Sequence, residues 1–303
     1  MDRILDMRPK DLVKLDGKQL LDSIRAAEGR TIICEILCPV MPLLFDVTNA
    51  ELVAAFGADI ILLNFYDTQK PAIFGITPQE GESPIEAVKR LSGRAVGVNL
   101  EPVDPNKEVL GQRSILEPGR IATRETMRRA YEQGAQIITL TGNPKTGVSN
   151  DQIERAIREA REELGDRIII IAGKMHSAGT GGEMSEGIVN KSVIGSFLNA
   201  GADIILLPAP GTVPGITLEF VKEMGDFIHQ RGGMLLTTIG TSQEGSDGDT
   251  VKSIALYAKM AGADCHHIGD AGYTGIAVPE NIMTYSVAIR GRRHTYRRMA
   301  MRG

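Results

Sequence analysis

The 303-residue sequence has no tryptophan, and aromatic residues make up only 4% of it. It has three cysteines, Cys34, Cys38 and Cys265, too few for the disulfide framework of a small secreted domain. No apolar run approaches the roughly 20 residues of a membrane span. The opening MDRILDMRPKDL has no apolar stretch of the signal-peptide kind. Neither charge sign is in large excess: the net charge is -4, with a pI near 5.8, which gives no general reason to expect nucleic acid or an anionic membrane as partner. These shortages lead to the expectation of a cytoplasmic protein. What the chain has in quantity is glycine, 34 residues, and a 42% hydrophobic content sufficient for a large core.

The hydrophobic residues fall into eight short runs: Thr31–Ile36, Asp59–Asn64, Ala95–Leu100, Gln136–Thr141, Ile168–Ala172, Asp203–Leu207, Met234–Ile239 and Asp264–Gly269. They recur at steps of about 29 to 42 residues, and the gaps hold helical patterns such as Asp151–Leu164 and Leu218–Gln230. Continuous apolar runs of this length read as strands buried on both faces. An internal echo supports the reading. Gly57-Ala-Asp-Ile-Ile-Leu-Leu63 recurs as Gly201-Ala-Asp-Ile-Ile-Leu-Leu207, with weaker copies at Gly134-Ala-Gln136 and Gly262-Ala-Asp264. Each is a helix ending in glycine, a short turn and a parallel strand. Eight such units predict an α/β fold, the (β/α)8 TIM barrel, rather than an open doubly wound sheet. With no low-complexity linker, residues 1–303 are expected to form one domain, with an N-terminal helix within residues 1–30 (9–28) and an arginine-rich tail over 291–303.

In such barrels the chemistry sits in the loops after the strands. The long loops, 64–83, 100–119, 173–187 and 240–248, all follow strands, whereas the turns before them are short. Lys174 follows the fifth strand. It could act as a Schiff-base nucleophile or a substrate-binding cation, or serve a structural ion pair with Glu183 or Glu35. His176 in the glycine-rich loop is a candidate acid or base, and Glu101 a candidate proton carrier. Of the adjacent pair on strand 8, one histidine should face the barrel interior, and His267, nearer the C-terminal end, is the candidate. Glu35, Asn64, Asn99 and Thr141 occupy strand ends where they could contact substrate. The loops with Gly240, Thr241 and Ser242 and with Gly269, Gly272 and Gly275 combine glycine with hydroxyl donors at the usual phosphate position of these barrels, although Glu244, Asp247 and Asp270 weigh against an anion there.

Glu35, Glu101, His176 and His267 could together hold a divalent metal such as Mg2+, though no compact motif requires one. Cys34 and Cys38 read as small core or rim residues. The six arginines from Arg290 to Arg302 suit an acidic surface or a neighbouring subunit better than RNA.

Gly57-Ala-Asp-Ile-Ile-Leu-Leu-Asn-Phe-Tyr-Asp67, Ala95-Val-Gly-Val-Asn-Leu100 and Gly134-Ala-Gln-Ile-Ile-Thr139 together resemble the BtpA-type barrels, a phosphate-binding-like (β/α)8 family. Phe45-Asp-Val-Thr-Asn-Ala50 is similar to a segment of the phosphoenolpyruvate mutase and isocitrate lyase group, which implies Mg2+ held by acidic residues after early strands, although the acidic motif of that group has no counterpart here. The resulting expectation is an enzyme for a small phosphorylated substrate, a sugar phosphate or keto acid phosphate, of lyase or isomerase type working through an enolate. Its rival is a non-catalytic barrel with a regulatory or assembly role. Self-association into a homo-oligomer is expected in either case.

Overall fold

The computed structural model describes residues 2–106, 109, 112–175 and 189–301. Eight parallel strands follow in chain order: β1 Thr31–Leu37, β2 Ile60–Asn64, β3 Ala95–Leu100, β4 Ile137–Leu140, β5 Ile169–Gly173, β6 Ile204–Pro208, β7 Met234–Ile239 and β8 Cys265–Ile268. Each pairs with its sequence neighbour, and β8 returns to β1 with Ile32 opposite His266, closing the barrel. The helices between them are α3 Asn49–Ala55, α4 Pro84–Ser92, α5 Arg124–Glu132, α6 Asn150–Leu164, α7 Lys191–Ala200, α8 Leu218–His229 and α9 Gly248–Met260, and α10 Pro279–Ala300 follows β8.

Helix starts are written in the local sequence. Thr48 and Ser83 accept from the backbone N–H three residues on, and Glu51 and Glu86 reach back to the cap N–H, so two donors at each helix start are satisfied reciprocally.

Side-chain alternation along the strands separates two cores. Ile33, Leu62, Ile137, Ile171, Leu206 and Leu236 face inward and fill the barrel. Ile32, Ile61, Val98, Ile170, Leu207 and Ile268 face the helix layer. Where one N-terminal helix was expected over 9–28, there are two, α1 Pro9–Leu12 and α2 Gly17–Arg25, because Asp16 caps a new start. Leu12, Leu20 and Ile24 belong to the inner cluster and so plug the N-terminal end of the barrel.

The echoed aspartates have a shared job. Asp59 Oδ2 accepts from Ile32 N (2.8 Å), Asp203 Oδ2 from Ile170 N (2.8 Å), Asp264 Oδ2 from Leu235 N (2.7 Å), and Gln136 Oε1 from Val96 N (3.3 Å). At all four places the first residue of an even-numbered unit staples it to the strand before it.

Through Ala300 the arginine-rich segment is the second half of α10, which breaks at Gly291 (φ 73°), and Arg290 and Arg298 are buried in the protein. Both meet the buried Asp59 carboxylate, at 2.5 and 2.8 Å, while Arg297 pairs with Asp6. Desolvating a carboxylate is costly, and two guanidinium groups offset that cost.

Candidate functional site

Inward-facing positions at the C-terminal ends of the strands can reach a shared space at the barrel mouth. A cavity of about 200 Å³ lies there, lined by Glu35, Asn64, Asn99, Thr141, Glu244 and Asp270, with Phe65, Asn143 and Met175 among its other walls. This is room for a small metabolite.

One wall is made of amides. Asn64 Oδ1 accepts from Asn99 Nδ2 (2.9 Å), Asn143 Nδ2 (3.1 Å) and Phe65 N (2.9 Å), while Asn64 Nδ2 donates to Asn143 Oδ1 (2.9 Å). The block is rigid, and it holds Phe65 in the left-handed region at φ 58°, an uncommon place for an aromatic residue. The buried Thr141 hydroxyl beside it has no hydrogen-bond partner among the described residues.

The other wall is acidic. Glu35, on β1, is 3.6 Å from the Nε2 of His267, on β8. His267 is fully buried behind Glu35 and is not itself part of the cavity lining, and neither ring nitrogen has a hydrogen-bond partner among the described residues. Glu244 is 3% exposed, and its Oε2 has no hydrogen-bond partner among the described residues. Burial raises the pKa of Glu244, and nearby Glu35 adds to the rise. Burial likewise raises Asp270, again reinforced by Glu35. A cluster of carboxyl groups with one imidazole, partly dehydrated, is a setting in which side chains can pass protons to and from a bound molecule.

Not every residue singled out in the sequence reaches this space. Lys174 is buried, shares the strand parity of Ala172, which faces the helices, and is not part of the cavity lining, where Met175 stands instead. His176 and Glu183 lie outside the described residues. Glu101 is committed elsewhere: Oε1 accepts from Arg120 Nη2 (2.6 Å) and Oε2 from Asn143 N (2.9 Å), which fixes the loop that carries Asn143. His266 faces outward to Tyr285 and Gly29. Cys34, Cys38 and Cys265 are buried and free. Among the described residues, no group of three or more His, Cys, Asp or Glu could hold a metal ion, so Glu35, Glu101 and His267 do not converge as a ligand set.

The two glycine loops are built differently from a phosphate cradle. The Gly272 N–H donates to Asp270 Oδ2 (2.9 Å), so the loop carries its own anion. Gly275 accepts from Leu37 N (2.8 Å) and ties β8 to β1. Thr241 donates to Thr212 O (2.8 Å), and Ser242, exposed with φ 89°, shapes the turn that sends Glu244 inward. Gly240 and Gly269 do line the cavity. A Cβ at Gly240 would lie 2.4 Å from Met175 Sδ, and one at Gly269 would lie 3.0 Å from the Ile239 carbonyl, so both serve close approach. Glu244 and Asp270 are loop acids whose inward direction depends on the loop path, and only that path makes them site residues. Asn143 stood at a strand end in the sequence, whereas Phe65 and Met175 carried no signal there.

Closed strand order and a polar cavity at the C-terminal mouth define the protein as a (β/α)8 barrel with its candidate site in the usual place. Residues 5–302 match the family described as Domain of unknown function (DUF7916), and the chain belongs to that family. The match spans nearly the whole chain, unlike the BtpA-type resemblance of the first half. No curated protein matches the sequence. Among solved structures, the carboxyl transferase domain of Rhizobium etli pyruvate carboxylase with pyruvate is similar at a TM-score of 0.53 and 12% identity, over 100% of this chain and 53% of that one. Dihydropteroate synthase from Thermus thermophilus, in complex with 4-aminobenzoate, is similar at 0.49 and 16%, over 86% and 93% of the two chains. Thiamine phosphate pyrophosphorylase from Pyrococcus furiosus is similar at 0.48 and 11%, over 86% and 96%. At these identities the likeness is one of fold.

Proposed function

We propose that the protein is a proton-transfer enzyme of lyase or isomerase type, acting on a small polar carbonyl or hydroxyl compound at the barrel mouth. The observation that carries this reading is the buried Glu35–His267 pair at 3.6 Å, with Glu244, whose Oε2 has no hydrogen-bond partner among the described residues, in the same wall. Glu35 lines the cavity and meets the substrate, and His267 behind it takes up or returns the proton. A separation just beyond hydrogen-bond length is ordinary before substrate binds. The Thr141 hydroxyl and the amide wall stand across the cavity, where donors would stabilise a developing enolate oxygen. Glu101 and Arg120 act as positioning residues through Asn143.

The sequence suggested a phosphorylated substrate. The described lining holds three carboxyl groups, Glu35, Glu244 and Asp270, and no Lys or Arg, so a phosphate dianion would find repulsion and no cation. We therefore favour an uncharged or cationic substrate.

The test is hydrogen exchange at carbon. Wild type, His267→Asn and Glu35→Gln are incubated in D2O with a panel of keto acids, sugars, sugar phosphates and amino sugars, and each compound is read by NMR. The expected result is C–H exchange with at least one non-phosphorylated compound, slowed about 10²–10⁴-fold in His267→Asn. Compounds that bind wild type without exchange, or exchange undiminished in His267→Asn, would overturn the enzyme reading and favour a barrel that binds without turnover.

A further inference from the structure

The acidic wall of the cavity is more specific than a proton-transfer site requires. Glu244 Oε2 and Asp270 Oδ1 are both buried atoms with no hydrogen-bond partner among the described residues. A buried carboxyl oxygen left unpartnered has a cost that a ligand donor removes. Glu35 completes three carboxyl groups from β1, the loop after β7 and the loop after β8, and no Lys or Arg lines the same space among the described residues. Such a wall fits a cation. A metal ion needs ligands converging within about 2–2.6 Å of one point, whereas no three described His, Cys, Asp or Glu residues do so. The carboxyl groups instead border a space of about 200 Å³.

We infer that the cavity binds a small molecule carrying a protonated amine, with the ammonium between Glu244 and Asp270 and the rest of the molecule reaching the amide wall of Asn64, Asn99 and Asn143. The inference rests on the mouth cavity being the substrate site, and it names the substrate class. An ammonium has three donors and no acceptor, which matches carboxyl oxygens short of donors. The amide wall and Thr141 then meet hydroxyl or carbonyl groups at the far end, which gives the ligand one orientation.

Binding should be linked to protons. Burial favours the protonated forms of Glu244 and Asp270. An ammonium beside them favours the ionised forms, so complex formation releases protons and weakens on acidification. The titratable groups facing this point are Glu35 from β1, His267 from β8, and Glu244 and Asp270 themselves.

The experiment uses the full chain. Thermal shift and calorimetry compare ethanolamine, small amino alcohols and amino sugars with the same skeletons bearing hydroxyl in place of the amine, alongside inorganic phosphate and MgCl2. The expected result is stabilisation by at least one amine and not by its hydroxyl counterpart. Glu244→Gln and Asp270→Asn should each weaken that amine by about thirtyfold or more, and circular dichroism verifies that both variants are folded. Heats measured in buffers of different ionisation enthalpy should show proton release. Equal stabilisation by amine and alcohol, stabilisation by phosphate, or an amine affinity unchanged in both variants would overturn the inference. So would Mg2+ stabilisation that Glu244→Gln abolishes, which would make the wall a metal site. The two readings fail separately. Amine binding that depends on Glu244 without any carbon exchange removes the proton-transfer reading alone. Exchange on a neutral compound with no amine binding removes this one alone.

Discussion

Asp59 and Arg290 meet at 2.5 Å between the strands and α10 at the N-terminal end of the barrel, with neither side chain exposed. Asp59 opens the second β/α unit and Arg290 lies in the last helix, so this contact joins the two ends of the fold. Arg298 approaches the other carboxylate oxygen at 2.8 Å, and Arg94 donates to the carbonyls of Ala58 (2.6 Å) and Arg298 (2.9 Å). Asp59→Asn leaves buried guanidinium groups without their counter-charge. The expected loss is about 3–5 kcal/mol, measured by urea unfolding, with ligand binding at the opposite end unchanged in the variant that remains folded.

Acid should destabilise the protein through His266. Burial lowers its pKa from 6.5 to about 4, with Lys259 and Arg290 adding to the effect and the Gly29 carbonyl opposing it. The neutral ring sits between the Gly29 carbonyl and the Tyr285 hydroxyl, each at 3.1 Å. Above pH 6.5 the ring is neutral in both folded and unfolded chains. Below it, the unfolded chain takes up the proton first, so stability falls as pH drops towards 4. The full window is worth roughly 3 kcal/mol at about 1.4 kcal/mol per pH unit. Unfolding free energies at a series of pH values should show this slope, and His266→Gln should flatten it.

Glu101→Gln separates positioning from proton transfer. The amide can still accept from Asn143 N, but Arg120 loses its buried carboxylate and keeps only the more exposed Glu117. The expected cost is about 1–3 kcal/mol of stability, with weaker binding in the cavity. Once an exchange substrate is in hand, the pH profile of its exchange rate should keep the wild-type shape, because Glu101 carries no proton in the reaction. A profile that loses one limb would return Glu101 to the role the sequence suggested.

The two glycines of the cavity wall should differ. At Gly269 an added Cβ presses on the Ile239 backbone carbonyl at 3.0 Å and approaches Glu244 Oε1 at 3.5 Å. A backbone wall does not yield cheaply, so Gly269→Ala should cost about 1–3 kcal/mol and shrink the binding space. At Gly240 the neighbour is the end of the flexible Met175 side chain. Gly240→Ala should cost under about 1 kcal/mol, since Met175 can swing aside. Thermal melts and ligand titrations of both variants check the contrast.

The barrel was legible because each signal was local. The eight apolar runs, the short turns before them and the Gly-Ala-Asp echo all lie within a few residues, and every strand begins within a residue of where the pattern placed it. Strand alternation required one of His266 and His267 to face inward, and His267 was the choice because it lies nearer the C-terminal end of the strand. Lys174 shows the limit of that reasoning, because a strand end can present either face and its parity is that of the outward-facing Ala172. Glu244 and Asp270 were visible as acids, but whether they point at solvent or into the cavity depends on loops whose path no periodicity encodes. The arginine run was the least readable. Its partner, Asp59, is 231 residues from Arg290, and an ion pair across that distance leaves no local mark. Two of the run's arginines, Arg290 and Arg298, are core residues, while Arg292 and Arg293 remain on the surface.

The four side-chain staples at Asp59, Gln136, Asp203 and Asp264 divide the eight joints of the barrel into two kinds. Joints β1–β2, β3–β4, β5–β6 and β7–β8 each have such a staple at the N-terminal end. Among the described residues the joints between them have none of this kind, and β2–β3 and β6–β7 are tied nearer the mouth instead, by Asn99 Nδ2 to Asn64 Oδ1 (2.9 Å) and by the Thr238 hydroxyl to the Leu207 carbonyl (3.2 Å). The molecule is therefore a ring of four two-strand staves, hooped from below, and under mechanical or thermal load it should part along the seams between staves. Of these seams β4–β5, where Leu140 lies opposite Ala172, has only the backbone ladder among the described residues and should open first. Breathing of the ring is thus directed to the side of the mouth where Thr141 stands, while the Asn64–Asn99 side stays tied.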